Sequence, residues 1–361
     1  MKKKIVCIHV FNNFTGSPNV LATVIDGLFN ENYDVTLLTS LNSKGFLSDV
    51  NCKQKINISY VFKKNTVGRL VQFLKFQIVA TMVLLKNNKD AIVYLNTIQP
   101  FLPAIFAKLR GNKVIYHIHE AYPKKSFFTR FLFFIVQVTS TKIICVSEYV
   151  LNELNAKSKE KANVVYNSLS LDFCRNQVLR NKVEEQKTIL MVSSVREYKG
   201  VLEFCKLASL LVEYNFVLVC DASKQEILVL FDKYNNISNL QLVATQTNLH
   251  PFYAEADLIM NLSIPSQIIE TFGLTILEGM SYGLPCIVPP VGGITELVWE
   301  GVNGYKVDSR QTEELVNKIR LMLEDDEKYK EMSNEAIKIS KKFSFEVFMN
   351  KIKLVLAENK Q

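Results

Sequence analysis

The stretch that decides the fold runs from residue 270 to residue 278 and reads Glu270-Thr271-Phe272-Gly273-Leu274-Thr275-Ile276-Leu277-Glu278. Apolar residues at helical spacing follow Gly273, so a helix is predicted to begin close to Phe272. The first amide groups of a helix lack partners within it and carry the positive end of its dipole. They are therefore predicted to bind a phosphate group. The backbone groups concerned are those of Phe272, Gly273, Leu274 and Thr275.

Two carboxylates flank this predicted phosphate site. Glu270 precedes the first turn of the helix, and Glu278 lies within it. Carboxylates accept hydrogen bonds and therefore suit the hydroxyl groups of a sugar. The stretch combines amides for a phosphate with acceptors for a polyol. The alternative interpretation is an ordinary helix with solvated glutamates.

The same stretch resembles the signature Glu-x-Phe/Tyr-Gly-x(4)-Glu of the retaining GT-B glycosyltransferases of family 4. The resemblance continues through residues 277–288, 292–298 and 301–305. It implies an α/β protein of two Rossmann-like, doubly wound domains that face a central cleft, with a C-terminal helix crossing back to the first domain. It also implies transfer of a sugar from a nucleotide-diphosphate sugar with retention of the anomeric configuration.

Length and composition favour two globular domains, because 361 residues are too many for one ordinary core. The predicted domains are an acceptor-binding domain at residues 1–170 and a nucleotide-sugar-binding domain at residues 188–344. Residues 171–187 are predicted to form a charged linker, and residues 345–361 to pack back on the first domain. The lysine-rich start leads directly into a strand-like run, so we expect a cytoplasmic protein.

Charge is distributed unevenly along the chain. Residues 1–170 hold 22 Lys and Arg against 9 Asp and Glu, whereas the remainder holds 21 against 26. A basic first half favours an anionic partner, such as a membrane surface, a lipid pyrophosphate or nucleic acid; a solvated lysine-rich surface is the other explanation. No nucleic-acid-binding motif accompanies the charge, so nucleic acid is not expected. The seven cysteines lack CxxC pairs and are expected to form no bridges and no metal site.

Two apolar segments in the first half carry scattered cations. Residues 66–86 have a helical pattern that is apolar over much of its circumference, and residues 124–136 combine aromatic residues with Lys124, Lys125 and Arg130. Either segment suits a helix at the surface of an anionic bilayer. A helix buried between a sheet and its neighbours explains both patterns as well.

The first domain has candidate ligands at two strand ends. A strand-like run at residues 5–10 leads into a loop containing Gly16, which the resemblance places near the donor diphosphate. A second strand ends in Tyr116-His117-Ile118-His119-Glu120, and strand alternation sends both histidines to one face. The resemblance implies a histidine near the acceptor and the transferred sugar. His119 is the better match and His117 the runner-up; a structural histidine is the alternative.

The second domain opens with a strand at residues 189–192, and Arg196 and Lys199 follow it. The resemblance implies that these cations bind the donor pyrophosphate, Arg196 as a fork and Lys199 as a point charge. Their spacing is shorter than in the common family pattern, so the phosphate contacted by each stays open. No Asp-x-Asp follows a strand, so no metal or other cofactor is expected.

The leading hypothesis is a retaining glycosyltransferase, peripheral at the inner membrane face, that uses a UDP or GDP sugar. Its acceptor is lipid-linked or saccharide, in the synthesis of a surface glycan. The resemblance implies that Glu270 holds sugar hydroxyls near the reacting face and that Glu278 holds the ribose hydroxyls. A nucleotide-sugar epimerase or phosphorylase of the same fold is the first alternative. A non-catalytic basic module that binds membrane or nucleic acid is the second.

Overall fold

The computed structural model describes residues 2–31, 33–41, 44–61, 63, 65–87, 89–121, 126–179, 186–234 and 236–357. The chain forms two compact units, Met1–Ser170 with Phe345–Gln361, and Leu171–Ser344. The second unit thus begins at Leu171, and the segment from Phe345 onward returns to the first unit.

Seven parallel strands form the sheet of the first unit. They are β1 (Lys4–Ile8), β2 (Asp34–Ser40), β3 (Gln54–Ile58), β4 (Ile92–Asn96), β5 (Val114–Ile118), β6 (Lys142–Cys145) and β7 (Ala162–Val164). Their order is β3-β2-β1-β4-β5-β6-β7. The strand order therefore reverses between β1 and β4, and the loops after these two strands diverge there. The helices between the strands are α1 (Gly16–Asn30), α2 (Thr66–Asn87), α3 (Phe101–Leu109), α4 (Phe127–Thr139), α5 (Glu148–Glu153) and α6 (Ala156–Lys159).

Helix α2 is long and apolar enough to cross a membrane, judged by the length and composition of Thr66–Lys86 alone. One stripe of the helix, at Phe76, Ala80 and Leu84, is fully buried in the first unit. The opposite side is exposed. The interpretation as a buried helix therefore holds for one face of α2, and the other face is exposed to solvent. Lys124 and Lys125, from the second apolar segment, lie outside the described residues.

Six parallel strands form the sheet of the second unit. They are β8 (Thr188–Ser193), β9 (Asn215–Cys220), β10 (Leu240–Val243), β11 (Leu258–Met260), β12 (Cys286–Val288) and β13 (Gly304–Lys306), in the order β10-β9-β8-β11-β12-β13. The helices are α7 (Leu171–Arg175), α8 (Val201–Leu210), α9 (Lys224–Leu230), α10 (His250–Glu255), α11 (Leu274–Ser281), α12 (Thr312–Leu323) and α13 (Asp326–Ser340). The strand order reverses between β8 and β11. The two sheets confirm the predicted pair of doubly wound, Rossmann-like domains.

Helix α7 corrects the predicted linker at residues 171–187. Phe173 packs against His250 with ring centroids 4.5 Å apart, and Gln177 donates a hydrogen bond to Ser281 Oγ at 2.8 Å. The first part of that segment therefore belongs to the second unit, because an aromatic side chain amid polar neighbours anchors it there. Residues 180–185 lie outside the described residues.

The last helix, α14 (Phe345–Ala357), belongs to the first unit although it follows the second in sequence. Gly27 of α1 lies so close that a Cβ there would stand 2.5 Å from the Met349 side chain. Lys113 Nζ donates to the carbonyls of Val355 and Leu356 at 3.1 and 3.0 Å. A cation at the carboxyl end of a helix satisfies its last carbonyls and complements the dipole.

Candidate functional site

In the second unit, the candidate site lies at the carboxyl ends of β8 and β11. These adjacent strands lead into loops that run to opposite sides, and ligands of open α/β sheets bind where the strand order reverses in this way. The loop after β8 carries Arg196 and Lys199, and the loop after β11 carries Glu270. Three residues predicted from separate motifs are therefore brought to one edge of one sheet.

Lys199 and Glu270 form an ion pair with 2.5 Å between Nζ and Oε1. Ser263 Oγ donates a second hydrogen bond to the same oxygen at 2.6 Å. Burial by itself would raise the pKa of Glu270, but the charge and hydrogen bond of Lys199, with hydrogen bonds from Ser263 and Asn261, outweigh it and lower the pKa. Glu270 is thus a carboxylate held in place by three donors, Lys199, Ser263 and Asn261.

The two loops are joined by their backbones. Ile264 N–H donates to the carbonyl of Tyr198 at 2.9 Å. Gly200 adopts φ +76°, and a Cβ there would stand 2.0 Å from the carbonyl oxygen of Leu262. Only glycine permits this approach, since another residue would meet backbone and strain its own φ. The position of Lys199 beside Glu270 therefore depends on the glycine that follows it.

Helix α11 begins at Leu274, two residues after the predicted start at Phe272. Gly273 precedes it with φ +99°, and no side chain caps the helix. The Phe272 side chain is buried and packs edge-on against Phe343, with centroids 5.9 Å apart. The Phe272 side chain therefore anchors this segment in the core, while Gly273, Leu274 and Thr275 form the start of the helix.

Glu278 lies one turn into α11 and accepts a hydrogen bond from the Tyr253 hydroxyl at 2.5 Å. Burial raises the pKa of Glu278 to about 7, although the Tyr253 hydrogen bond lowers it in part. Its protonation therefore changes near neutral pH. Arg196 is exposed and immediately precedes the short 3₁₀ turn Glu197–Lys199.

The first unit has a second polar cluster at the reversal between β1 and β4. Asn96, at the end of β4, donates from Nδ2 to the carbonyl of Ser17 at 2.9 Å, next to Gly16 at the start of α1. His9, just after β1, donates from Nδ1 to the Asn96 carbonyl at 3.0 Å. His119 Nε2 lies 2.9 Å from Asn96 Oδ1. Asn96 thus connects three strand ends with the first helix.

These bonds determine the tautomer of His119. Because Asn96 Nδ2 faces a carbonyl, its Oδ1 faces His119, and an amide oxygen only accepts. Nε2 of His119 therefore carries the proton, and Nδ1 carries the lone pair. Burial first, and then neighbouring His117 and His9, lower the pKa of His119 well below its ordinary value. His119 is a neutral, oriented imidazole.

His117 lies in the interior, which corrects its candidacy as a catalytic residue. Its side chain is 0% exposed, and its Nδ1 lies 2.7 Å from the Tyr94 hydroxyl. The expectation that both histidines share a face is right, since their ring centroids are 4.4 Å apart. His117, however, precedes His119 by two residues in the strand, and its ring is covered by Phe348 and Tyr94. His117 supports the ring of His119 and is not placed to touch a substrate.

Glu120 and Thr97 complete this edge. Glu120 accepts hydrogen bonds from the backbone N–H groups of His119 and Ile98 at 3.1 and 3.4 Å, and burial raises its pKa to about 7. Thr97 follows Asn96 with φ +85°, a strained conformation for a β-branched residue. Such strain persists where the surroundings fix it, and it is concentrated at functional sites.

Several of these residues were missed by the motif analysis: His9, Asn96, Ser263 and Tyr253. His9 and Asn96 stood in the sequence as polar residues at the ends of apolar strands, which is a usable signal. Tyr253 and Ser263 gave none, because their roles depend on what lies opposite. Among the described residues, no group of three His, Cys, Asp or Glu side chains is arranged to hold a metal ion.

Two family models match most of the chain. Residues 14–173 match Glycosyltransferase Family 4, and residues 175–339 match Glycosyl transferases group 1. An uncharacterized glycosyltransferase of Methanocaldococcus jannaschii is 28% identical over 237 residues, which is 65% of this chain and 64% of that protein. The chain thus spans slightly less than two thirds of that relative.

A lipopolysaccharide 1,2-N-acetylglucosaminetransferase of Salmonella typhimurium is 23% identical over 286 residues, 72% of this chain and 71% of that protein. Among solved structures, Anabaena HepE in complex with UDP and glucose matches with a TM-score of 0.79 and 18% identity, over 99% of this chain and 100% of that one. At that identity the match shows the shared fold.

Proposed function

The chain belongs to the GT-B glycosyltransferases of the family 4 type, and from that premise we propose that it transfers a sugar from a UDP or GDP sugar to a lipid-linked or saccharide acceptor. The observation that carries this proposal is the cluster of Lys199, Glu270 and Gly273 at the β8/β11 reversal. It places a cation, a held carboxylate and an uncapped helix start together.

The donor would bind to the second unit. Transfer breaks the bond between the anomeric carbon and the diphosphate oxygen, so negative charge grows on the diphosphate and positive charge on the sugar ring. Arg196, Lys199 and the first amides of α11 stabilise the departing diphosphate. These protein cations take the role that a metal ion has in other transferases. The carboxylate of Glu278 accepts hydrogen bonds from the ribose hydroxyls.

The acceptor oxygen would form its bond on the face that the diphosphate leaves, so that configuration is retained. The acceptor proton goes to the departing phosphate oxygen. Glu270 holds sugar hydroxyls beside the reacting carbon, and its own orientation is fixed by Lys199 and Ser263. His119 orients a hydroxyl in the first unit, near Gly16. Orientation of this kind lowers the entropic part of the barrier.

We place the reaction at the cytoplasmic face of a membrane, in the synthesis of a surface glycan. The relative from Salmonella typhimurium, which is named for lipopolysaccharide, supports this choice, as does the net charge of +13 over residues 1–170, from 22 Lys and Arg against 9 Asp and Glu. An anionic membrane or lipid pyrophosphate complements that charge.

A thermal-shift screen against UDP and GDP sugars tests the donor assignment. A ligand at one hundred times its Kd stabilises the folded protein by about 2.7 kcal/mol. Arg196→Ala and Glu278→Ala should reduce the shift, whereas Arg320→Ala, an exposed arginine on α12, should leave it unchanged. A full shift in both site variants would refute the assignment.

Turnover assays separate the remaining alternatives. Nucleotide diphosphate should be released only when acceptor is present, and Glu270→Ala should lose turnover while keeping most donor affinity. Interconversion of the sugar without acceptor would identify an epimerase instead, and phosphate-dependent cleavage would identify a phosphorylase. Absence of any nucleotide-sugar affinity would leave the non-catalytic module.

A further inference from the structure

Three neighbouring helices of the first unit expose an unusual amount of apolar surface. Together α2, α3 and α4 carry 14 of the 31 large hydrophobic side chains that are exposed among the described residues, although they make up only 44 of the 361 residues. We call this set the apolar face. Its members are Val67, Leu70, Val71, Leu74, Ile78, Met82, Leu85, Phe106, Leu109, Phe127, Phe128, Phe131, Phe134 and Val138.

Aromatic contacts join the three helices into one surface. Phe73 of α2 lies 6.1 Å from Phe101 of α3 and 6.2 Å from Phe128 of α4, measured between ring centroids. Phe101 and Phe131 lie 5.9 Å apart. The exposed residues therefore form a continuous patch instead of scattered single positions. A contiguous apolar patch of this kind marks a binding surface.

The charge of the apolar face has one sign. None of the three helices contains Asp or Glu, and residues 63–139 hold 12 Lys and Arg against 2 Asp and Glu. Lys63 precedes α2, Arg69 and Lys75 lie in its first half, and Arg130 lies in the first turn of α4. Apolar side chains bordered by cations match the boundary between acyl chains and anionic head groups. A second copy of the chain would bring like charges together.

We propose that the apolar face docks the protein onto an anionic lipid bilayer, with α2 and α4 lying flat in the interface. A second copy of the chain fits this surface less well, because the cations of the two copies would repel each other. Binding of this kind needs no nucleotide or acceptor, so it is independent of the proposed reaction.

Helix α2 lies on the membrane and does not cross it, because its other side is built into the first unit. Gln77 is fully buried, donates to the carbonyl of Gln99 at 3.0 Å and accepts from Leu102 N–H at 3.3 Å. Arg110 donates to the carbonyl of Leu84 at 3.0 Å. A crossing helix would break these bonds and expose the buried stripe.

The position of the apolar face has a consequence for the acceptor, which rests on the proposed function. Helices α2, α3 and α4 each follow a strand of the parallel sheet, so each begins at the carboxyl edge that carries Asn96 and His119. Phe127, which is 85% exposed, is the first residue of α4. Docking therefore brings that edge next to the lipid, where a membrane-anchored acceptor presents its sugar.

Vesicle flotation tests the docking surface with the full chain. Wild type should float with phosphatidylcholine vesicles containing 30% phosphatidylglycerol. The combined variant Val67→Ser, Leu70→Ser and Phe127→Ser should bind at least about tenfold more weakly, because three apolar side chains no longer enter the lipid. The matched control is Val212→Ser, Val229→Ser and Leu354→Ser, whose side chains are equally exposed elsewhere. It should bind within twofold of wild type.

A charge series tests the basic border. Neutralising Arg69, Lys75 and Arg130 with glutamine should weaken binding to the anionic vesicles by about fivefold per charge. Equal binding of this variant and wild type would overturn the anionic specificity. Circular dichroism and melting temperature verify that each variant is folded.

Four results would overturn the proposal. The first is that wild type fails to float with the vesicles. The second is that the combined serine variant of the apolar face floats as well as wild type does. Light scattering shows a wild-type dimer that the apolar variant loses without any vesicle binding, which identifies a second copy as the occupant. Bound protein resists an alkaline carbonate wash, which identifies a crossing helix. If vesicles bind normally but no sugar is transferred, the proposed function fails and the docking surface stands.

Discussion

The ion pair between Lys199 and Glu270 changes how each residue is understood. Motif reasoning treated Lys199 as a phosphate ligand and Glu270 as a sugar ligand, acting separately. The 2.5 Å contact couples them, since the cation lowers the pKa of the carboxyl and restricts its orientation. A diphosphate bound at Lys199, as proposed, would therefore also change the electrostatic field at Glu270.

Substitution of Lys199 by methionine should reduce turnover by about 10²-fold or more, because an oriented cation at the leaving group is lost. It should also move the acidic limb of the pH–activity profile to higher pH. Burial alone raises the pKa of Glu270, and the variant removes the largest opposing influence. Lys199→Arg should keep the acidic limb at its wild-type pH, because it keeps a cation beside Glu270. Lys206→Met on α8 serves as the control. An unmoved limb in Lys199→Met would contradict the coupling.

Glu278 predicts a pH dependence of donor affinity. With a pKa of about 7, the carboxyl is mostly protonated at pH 6 and mostly ionised at pH 8. Only the ionised form accepts from both ribose hydroxyls, so affinity should rise by up to about tenfold between these values. Titration calorimetry with the best donor measures this rise. Glu278→Gln should be flat across the range.

Tyr253→Phe provides the complementary test at the same carboxyl. The Tyr253 hydrogen bond lowers the pKa of Glu278, so its removal should shift the affinity curve to higher pH. The same raised pKa makes the folded state hold a proton that the unfolded state releases. The raised pKa of Glu278 therefore contributes to the free energy of unfolding below pH 4.5, and this contribution is lost as the pH rises through about 7. A Tyr253→Phe curve identical to wild type would show that another group titrates.

At the scale of elements, the start of α11 depends on its glycine. Gly273 has φ +99°, and a Cβ there would stand 2.6 Å from Ile294 Cγ1. The helix can begin beside Glu270 only because no side chain occupies that space.

Gly273→Ala should lower the free energy of unfolding by about 1–3 kcal/mol for backbone strain, with a further loss from the contact with Ile294. Gly301→Ala is the matched control, since Gly301 has φ +73° but open space around its Cα. Urea denaturation measures both. Donor affinity should fall only for Gly273→Ala, and the double variant with Ile294→Ala should recover part of the stability. Equal losses at the two glycines would argue against the steric contact.

At the scale of the whole molecule, the first unit is discontinuous in sequence. Its last helix, α14, is separated from residue 170 by the entire second unit, yet Phe348, Ile352 and Leu356 are buried in the first. Each end of the chain therefore stabilises the same core.

Ile352→Ala should destabilise the first unit by about 2–5 kcal/mol, because Ile352 is fully buried on α14. Hydrogen exchange should show faster exchange in β1 and β2 while β8 and β9 keep their protection. Leu354→Ala, on the exposed side of the same helix, is the control. Equal loss of protection in both sheets would show that the units unfold together.

The sequence by itself determined the elements and the family. Apolar runs located the strands β1 and β8 to within two residues of their observed ends. These patterns are readable because burial of a strand or helix face leaves a fixed period in the chain. The Glu270–Glu278 stretch was readable because the glycine, the helix and the carboxylates are local to one segment.

Only the tertiary structure decided which residues act together. The pairing of Lys199 with Glu270, the link from Asn96 to His119 and the burial of His117 all depend on strands that meet in the sheet but lie far apart in the chain. The apolar face likewise required the fold, because the sequence of α2 fits a buried helix and a surface helix equally. Spacing along a chain reports the period of an element, whereas contacts between elements depend on the order in which the sheet assembles them.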